Sequence, residues 1–173
     1  MPKPCDATIL AWTRLMRAHR ATLTQAQQAL KEEGLPGLEW YDVLLELERA
    51  GPLRPRDLQT QLLLAQYNLS RLLDRMAEAG LIERRSCPQD GRGQFVAVTA
   101  EGRKLRQRMW PVYAGAIQAG IGARLGPAEA AELAELLGRL YGTASAAAAS
   151  PGRGSAASGA KPASRVHGRT SRS

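Results

Sequence analysis

The chain has 173 residues and a formal net charge of +8, with 24 Lys and Arg residues against 16 Asp and Glu residues. Its two cysteines, Cys5 and Cys87, are too few for a disulfide framework and lack metal-ligand spacing, so we expect neither a metal nor a cofactor. No apolar run is long enough to span a membrane and the N-terminus has no signal-peptide pattern, which predicts a cytoplasmic protein without a membrane partner.

The positive charge is distributed unevenly along the chain. Residues 143–173 hold five basic and no acidic residues within a stretch of Ala, Ser and Gly. This composition cannot bury enough apolar surface to offset its ordering entropy, which predicts a disordered basic tail. The other 142 residues hold the remaining 19 basic and 16 acidic groups, a net charge of only +3. The tail can act as a loose phosphate-binding arm or simply as a solubilising extension.

Three helices are predicted in the first part of the chain. Apolar residues recur at steps of three and four over residues 6–31 and again over 39–50, which is the spacing of amphipathic helices. Pro55 suits the first position of a third helix over residues 55–61. Between the second and third helices, Leu53 and Arg54 can add a short strand to a hairpin that follows later in the chain.

A fourth helix, predicted over residues 66–79, has two unlike faces. One face is an apolar stripe with helical spacing, formed by Leu69, Leu72, Leu73 and Met76. The opposite face carries polar side chains, namely Tyr67, Asn68, Ser70, Arg71, Asp74 and Arg75. Gly80 favours a left-handed stop, and strand patterns over 81–86 and 94–99 then predict a β-hairpin with a basic tip. A polar helix face beside a basic hairpin is typical of a winged helix-turn-helix, which binds DNA.

Two further helices complete the predicted fold. Thr99 suits the N-cap of a helix over residues 100–123, which Pro111 should bend, and Pro127 begins a last helix. The predicted fold class is therefore mainly α with a small β-hairpin wing. A winged helix-turn-helix reader domain covers residues 38–99. Helices over 6–34 and 100–142 form a dimerisation domain, so that a homodimer reads a palindromic operator. A monomeric helical core built from the same apolar stripes is the alternative.

Four segments resemble the MarR family of transcriptional regulators. They read Leu-Ser-Arg-Leu-Leu-Asp-Arg-Met (69–76), Ala-Gly-Leu-Ile-Glu-Arg (79–84), Asp-Gly-Arg-Gly-Gln (90–94) and Val-Thr-Ala-Glu-Gly (98–102). Their order and spacing are specific, and the resemblance covers about residues 6–142. It implies a dimer with one winged helix per subunit, which often represses by blocking promoter access. Many members of the family release DNA when a phenolic or other lipophilic ligand binds, or when a cysteine is oxidised.

The residues expected to contact DNA fall in three places. Arg54 precedes the third helix, at a position where the family usually has Ser or Thr, and can meet a phosphate. The fourth helix supplies donors and acceptors for base edges and phosphates: Gln66, Tyr67, Asn68, Ser70, Arg71 and Arg75. The wing supplies Arg84, Arg85, Asp90 and Arg92. We expect Arg92 to enter the minor groove, with Asp90 holding it in position.

Each of these assignments has a simpler alternative. The polar helix face can be an ordinary solvated surface, and Asp90 and Arg92 can merely cap a turn. Arg75 can be held on the helix surface by Asp74 or Glu78.

A ligand site and a redox site are also conceivable. The first, second and fifth helices carry residues that could line a crevice for a small lipophilic or phenolic effector: Trp12, Met16, His19, Trp40, Tyr41, Trp110 and Tyr113. Core or dimer packing explains each of them equally well, and we expect His19 to be a buried, hydrogen-bonded histidine. For a redox site the candidates are Cys5 and Cys87, the latter close to the two wing arginines, which favour a thiolate.

The predicted function is a sequence-specific DNA-binding transcriptional regulator, most simply a ligand-responsive repressor. Its alternatives are a thiol-based redox regulator and a winged-helix protein-interaction module without specific DNA binding. An enzyme is not expected, because the sequence has no phosphate-binding glycine loop, no zinc spacing and no nucleophile–base set.

Overall fold

The computed structural model describes residues 2–62, 68–86 and 94–141. Within these residues the elements are, in chain order, α1 (Asp6–Glu32), α2 (Leu38–Ala50), α3 (Pro55–Gln61), α4 (Leu69–Glu78), β1 (Ile82–Ser86), β2 (Gln94–Val98), α5 (Ala100–Ile117), a π-helical turn (Gln118–Gly122) and α6 (Pro127–Tyr141). This is the predicted mainly α architecture with a small β-hairpin.

Two apolar cores divide the molecule, and α2 contributes to both. The first core joins α2, α3, α4 and the hairpin, and its most deeply buried members are Val43, Leu44, Leu47, Leu58, Leu72, Leu73, Met76 and Val96. The second joins α1, α2 and α5 through Ala26, Leu30, Leu38, Tyr41 and Met109. Because α2 lies between the two cores, a displacement of this helix would change the packing of both.

The hairpin is antiparallel, with Arg84 opposite Val96 and Arg85 opposite Phe95. Leu53 extends it as an isolated bridge, since its N–H donates to the Val96 carbonyl at 3.0 Å and its carbonyl accepts from Val96 N–H at 2.8 Å. The predicted short strand at Leu53 and Arg54 is thus present only as a single bridge at Leu53, because Arg54 already belongs to the N-cap of α3.

Thr99 joins the hairpin to both neighbouring helices. Its hydroxyl oxygen accepts from Gly102 N–H at 3.1 Å, which caps α5, and the same hydroxyl donates to the Gly80 carbonyl at 2.7 Å. Gly80 has φ of +71°, a conformation that costs glycine little. The predicted N-cap and the predicted left-handed stop are both confirmed, and together they fix the hairpin relative to α4.

Two predicted helix boundaries are wrong. The fourth helix begins at Leu69 rather than residue 66, because Asn68 is its N-cap and accepts from Arg71 N–H at 3.3 Å. The fifth helix does not run unbroken to residue 123, since α5 ends at Ile117 and the π-helical turn follows. Two of the five residues in that turn are glycines, which favour an α-helix poorly.

In the described part of the chain, no helix has the length and apolar character that crossing a membrane would require.

Candidate nucleic-acid interface

The fourth helix presents one buried and one exposed face. Its stripe of Leu69, Leu72, Leu73 and Met76 is buried in the first core, as predicted. Ser70, Arg71 and Asp74 are exposed on the other side. A shallow surface depression runs along this side and is lined by Asn68, Arg71, Leu72, Asp74 and Arg75. The helix therefore presents hydrogen-bonding groups outward while its apolar side is anchored.

Arg75 does not rely on the carboxylates that the sequence suggested. Its guanidinium carbon lies 5.9 Å from the centroid of the Trp40 ring, on α2. The neighbouring Asp74 pairs instead with Arg84 of β1. The alternative, in which Asp74 or Glu78 holds Arg75, is not the arrangement observed, because the fold brings an aromatic ring from another helix to this side chain.

Both wing arginines of β1 have acidic partners. Arg84 donates to Asp74, which ties the hairpin to α4, and Arg85 donates to Glu83 on its own strand through Nε at 2.9 Å. All four side chains are at least two-fifths exposed. Exposed ion pairs contribute little to stability, so these arginines can exchange a carboxylate for a phosphate at small cost.

The N-terminus of α3 adds two arginines, one of which, Arg54, contacts the hairpin. Arg54 is the N-cap residue of α3, makes no side-chain cap, and lies with its guanidinium carbon 5.4 Å from the Phe95 ring centroid. Arg56 is 85% exposed and approaches Asp57 only at 3.7 Å. Sequence analysis missed Arg56, although its position directly after Pro55 at a helix N-terminus, where phosphates bind readily, was a usable signal.

Several predicted site residues lie outside the described residues. They are Gln66 and Tyr67 before α4, Cys87 after β1, Asp90 and Arg92 between β1 and β2 in the sequence, and the tail over 143–173.

Three of the seven predicted effector residues come together. Tyr41 of α2 stacks on Trp110 of α5 with ring centroids 6.2 Å apart, and it meets Tyr113 edge-on at 5.1 Å. Trp40, the preceding residue, packs instead against the first core. Trp12, Met16 and His19 are exposed on α1, so the prediction of a buried His19 is wrong. The reason is that this half of α1 extends beyond the helices of its own chain.

A charged group borders the aromatic cluster of Tyr41, Trp110 and Tyr113. Arg106 of α5 pairs with Glu48 of α2 and hydrogen-bonds the Tyr41 side chain. Burial opposes the charge on Arg106, but these bonds raise its pKa above the ordinary arginine value. Burial likewise raises the pKa of Tyr41 and of Tyr113, so both phenols are neutral near pH 7. The cluster thus combines apolar rings with the Arg106–Glu48 ion pair at its border.

Cys5 is exposed at the N-cap of α1. Its thiol lies 3.3 Å from the Thr8 hydroxyl, and this hydrogen bond lowers the pKa of the thiol. A lowered pKa increases the thiolate fraction and hence the reactivity towards oxidants.

Comparison with known proteins identifies the family. The family model described as "MarR family" matches residues 33–93, which contain α2, α3, α4 and the first hairpin strand, β1. The chain is 30% identical over 95 residues to the HTH-type transcriptional regulator FarR of Neisseria gonorrhoeae, covering 55% of this chain and 64% of FarR. It is also 30% identical over 108 residues to an uncharacterised HTH-type transcriptional regulator of Bacillus cereus, covering 61% of this chain and 71% of that protein. The chain belongs to the MarR family.

The structures of MarR-family regulators agree with this assignment. Sco3205 from Streptomyces coelicolor, a MarR-family regulator crystallised in complex with DNA, has a TM-score of 0.71 and 25% identity. The match covers 81% of this chain and 89% of Sco3205. The fold is thus that of a winged helix-turn-helix regulator of transcription, and the relatives are regulators rather than enzymes.

Proposed function

We propose that this MarR-family chain binds specific DNA sequences, with α4 in the major groove and the hairpin along the backbone. The observation that carries the proposal is the two-faced α4: four apolar residues fix it in the core while Ser70 and Arg71 extend outward. Arginine pairs bidentately with guanine, and serine and asparagine bond base edges or phosphates. The complex of Sco3205 with DNA supports the same use of the fold here.

The proposed contact set follows from this orientation. Asn68, Ser70 and Arg71 face base edges, together with Gln66 and Tyr67 ahead of them. Arg54, Arg56, Arg84 and Arg85 lie on the flanking elements and bind phosphates, and Arg92 enters the minor groove. Phosphate contacts set the register of the protein on the duplex, whereas base contacts select the sequence.

Arg71 offers the sharpest test of DNA recognition. We expect Arg71→Ala to weaken operator binding by about tenfold or more, the cost of one lost bidentate base contact, and to relax discrimination at one base pair. Arg108→Ala is the matched control, because Arg108 is also exposed but lies on α5, outside the proposed DNA contacts and the proposed α1–α6 pairing. Mobility-shift titration on the intergenic region upstream of the gene, at two salt concentrations with competitor DNA, measures both variants. Equal loss in the two variants would contradict a base-reading role for α4.

We further propose that two copies join through their terminal helices, so that the dimer reads a palindromic operator. Large apolar side chains are exposed on both terminal helices, which supports this arrangement: Ile9, Leu10, Trp12 and Met16 on α1, and Leu133, Leu136 and Leu140 on α6. Trp12 is 64% exposed and Leu140 is 70% exposed. Contiguous apolar surface of this kind marks an interaction site.

The charges on the same two helices are complementary. Between Ala7 and Leu30, α1 contains no acidic residue and exposes Arg14, Arg17 and Arg20. The last helix, α6, exposes Glu132 and Glu135. Like-charged faces repel and opposite faces attract, which favours α1 of one copy lying against α6 of the other.

Charge reversal tests this pairing. Replacing the three α1 arginines by glutamate, or Glu132 and Glu135 by lysine, should weaken self-association in either variant alone. An equimolar mixture should recover the dimer, since each contact then joins opposite charges again. Sedimentation equilibrium measures all three samples. If the mixture stays as dissociated as its components, α1 and α6 do not pair between copies.

The regulator is proposed to be a repressor that releases DNA when a phenolic effector binds beside Tyr41, Trp110 and Tyr113. Aromatic walls and the Arg106 charge suit a planar ring bearing an acidic group. Trp12, Met16 and His19 join this site only where the second copy covers α1. Salicylate, added to the preformed protein–DNA complex, should release the DNA from the unmodified chain and not from a Tyr113→Leu variant. Release from both alike would contradict this location of the effector site.

A further inference from the structure

We propose that Trp40 is a positioning residue for DNA binding, because its ring holds the Arg75 guanidinium ready to bind a backbone phosphate. The inference rests on the proposed function, since it assumes that α4 meets DNA. It concerns two residues on different helices, α2 and α4, whose contact is a guanidinium carbon 5.9 Å from a ring centroid.

The Trp40 ring is a rigid platform. Trp40 is half-buried and packs against the first core, so the ring has few alternative positions. The next residue, Tyr41, is only 4% exposed and lies between Trp110 and Tyr113 of α5. The α2 backbone is therefore anchored on both sides at this point.

The Arg75 side chain, by contrast, is exposed. It borders the same depression as Asn68 and Arg71, the residues proposed to face DNA. Without a support, a long arginine side chain samples many rotamers and loses conformational entropy when it binds a phosphate. The cation–π contact with Trp40 restricts that freedom before DNA arrives.

Stacking leaves the binding chemistry of the guanidinium intact. An aromatic ring contacts the face of the planar group, whereas the N–H donors that grip a phosphate point outward from its edge. Asp74, the nearest carboxylate in sequence, is engaged by Arg84. The cation therefore remains available to an external anion, as a phosphate contact requires.

Lysine cannot replace arginine in this arrangement. Its ammonium group is a point charge without a flat face, so it keeps the positive charge of residue 75 but not the stacking or the fork of donors. Phenylalanine at position 40, in contrast, keeps an aromatic face of similar orientation. These two substitutions separate the stacking from the charge and from the packing of the core.

A double-mutant cycle on operator affinity tests the inference. We expect Arg75→Ala to weaken binding about tenfold and Trp40→Leu about fivefold, while the double variant is no weaker than Arg75→Ala alone. When Trp40→Leu is combined with Arg71→Ala instead, the two losses of affinity should multiply, because the inference assigns Trp40 to Arg75 and not to Arg71. Arg75→Lys should lose nearly as much operator affinity as Arg75→Ala, whereas Trp40→Phe should keep most of the affinity of the unmodified chain.

Three results would overturn the inference. The first is a double variant whose loss of affinity equals the product of the losses in Trp40→Leu and Arg75→Ala. The other two are an unchanged operator affinity in Trp40→Leu and an unchanged operator affinity in Arg75→Lys. The lysine variant keeps the core unchanged, so the test survives if Trp40→Leu fails to fold. In the same titration, specific binding by the unmodified chain shows that the proposed function stands. Its absence would overturn the proposed function and this inference with it.

Discussion

Replacing Gly102 by alanine should destabilise the protein, although alanine is the better helix former. Gly102 lies in the first turn of α5, and a Cβ atom there would stand 2.2 Å from the Leu81 carbonyl oxygen and 2.9 Å from a Val98 methyl carbon. The carbonyl belongs to the backbone and already accepts the Thr99 N–H at 3.0 Å. It cannot turn aside without breaking that bond, so α5 must shift away from the hairpin.

The size of the effect follows from two opposing contributions. Forcing an extra carbon into a packed site costs about 1–3 kcal/mol, and a backbone clash belongs at the upper end of that range. Alanine in place of glycine returns at most about 1 kcal/mol of helix propensity. We therefore expect a net loss of about 2 kcal/mol, which lowers the unfolding midpoint of a chain of this size by about 4–8 °C.

Gly115→Ala is the matched control on the same helix. A Cβ atom at Gly115 meets nothing within 4 Å, so this variant should gain up to about 1 kcal/mol. Thermal unfolding followed by circular dichroism measures both variants at one fixed protein concentration, because association shifts the midpoint. A Gly102→Ala midpoint at or above that of the unmodified chain would refute the close approach of α5 to the hairpin.

Three further predictions concern single side chains. Asn68→Ala should cost about 1 kcal/mol through the lost N-cap of α4, whereas Asn68→Asp should keep the midpoint and weaken DNA binding; equal midpoints for the two would contradict the cap. Burial raises the pKa of Glu46 above the ordinary carboxyl value despite Arg49. The folded state then binds more protons than the unfolded state, so stability falls as pH rises from the ordinary carboxyl pKa through the raised one. Glu46→Gln should gain stability relative to the unmodified chain over that rise, and a difference independent of pH in urea titrations would exclude this. Arg106→Met leaves the Glu48 carboxylate without its partner and should lower the free energy of unfolding, measured in urea, by about 2 kcal/mol. A second change, Glu48→Gln, should restore part of that loss. An unchanged free energy of unfolding in Arg106→Met would show that the ion pair is dispensable.

Local sequence signals predicted the elements of the fold well. Pro55 and Thr99 correctly marked helix starts, and Gly80 marked the left-handed stop after α4. These signals work because they act within a few residues: a ring fixes φ, a hydroxyl caps a neighbouring N–H, and glycine alone tolerates positive φ. The start of α4 was misplaced because Asn68 was counted as a surface residue rather than as a cap.

For the candidate interface, the sequence predicted which face of α4 is exposed but not which side chains pair with one another. Alternation of apolar and polar residues along α4 correctly assigned the side of the helix that is buried and the side that carries Ser70 and Arg71. Which carboxylate pairs with which arginine was not predictable, since Arg84 finds Asp74 ten residues away on another element. The exposed Arg56 was overlooked although its position directly after Pro55 at a helix N-terminus was a usable signal.

The amino-acid sequence by itself determined the helices, their caps and the faces they bury, because those features follow from contacts over three or four residues. Tertiary structure alone decided which distant side chains meet. Of seven aromatic, sulfur and histidine side chains chosen from the sequence, Tyr41, Trp110 and Tyr113 converge, while Trp40 turns to the other core and lies beneath Arg75. Successive residues of a helix point about 100° apart, so neighbours in sequence enter different cores once two sets of helices pack around α2.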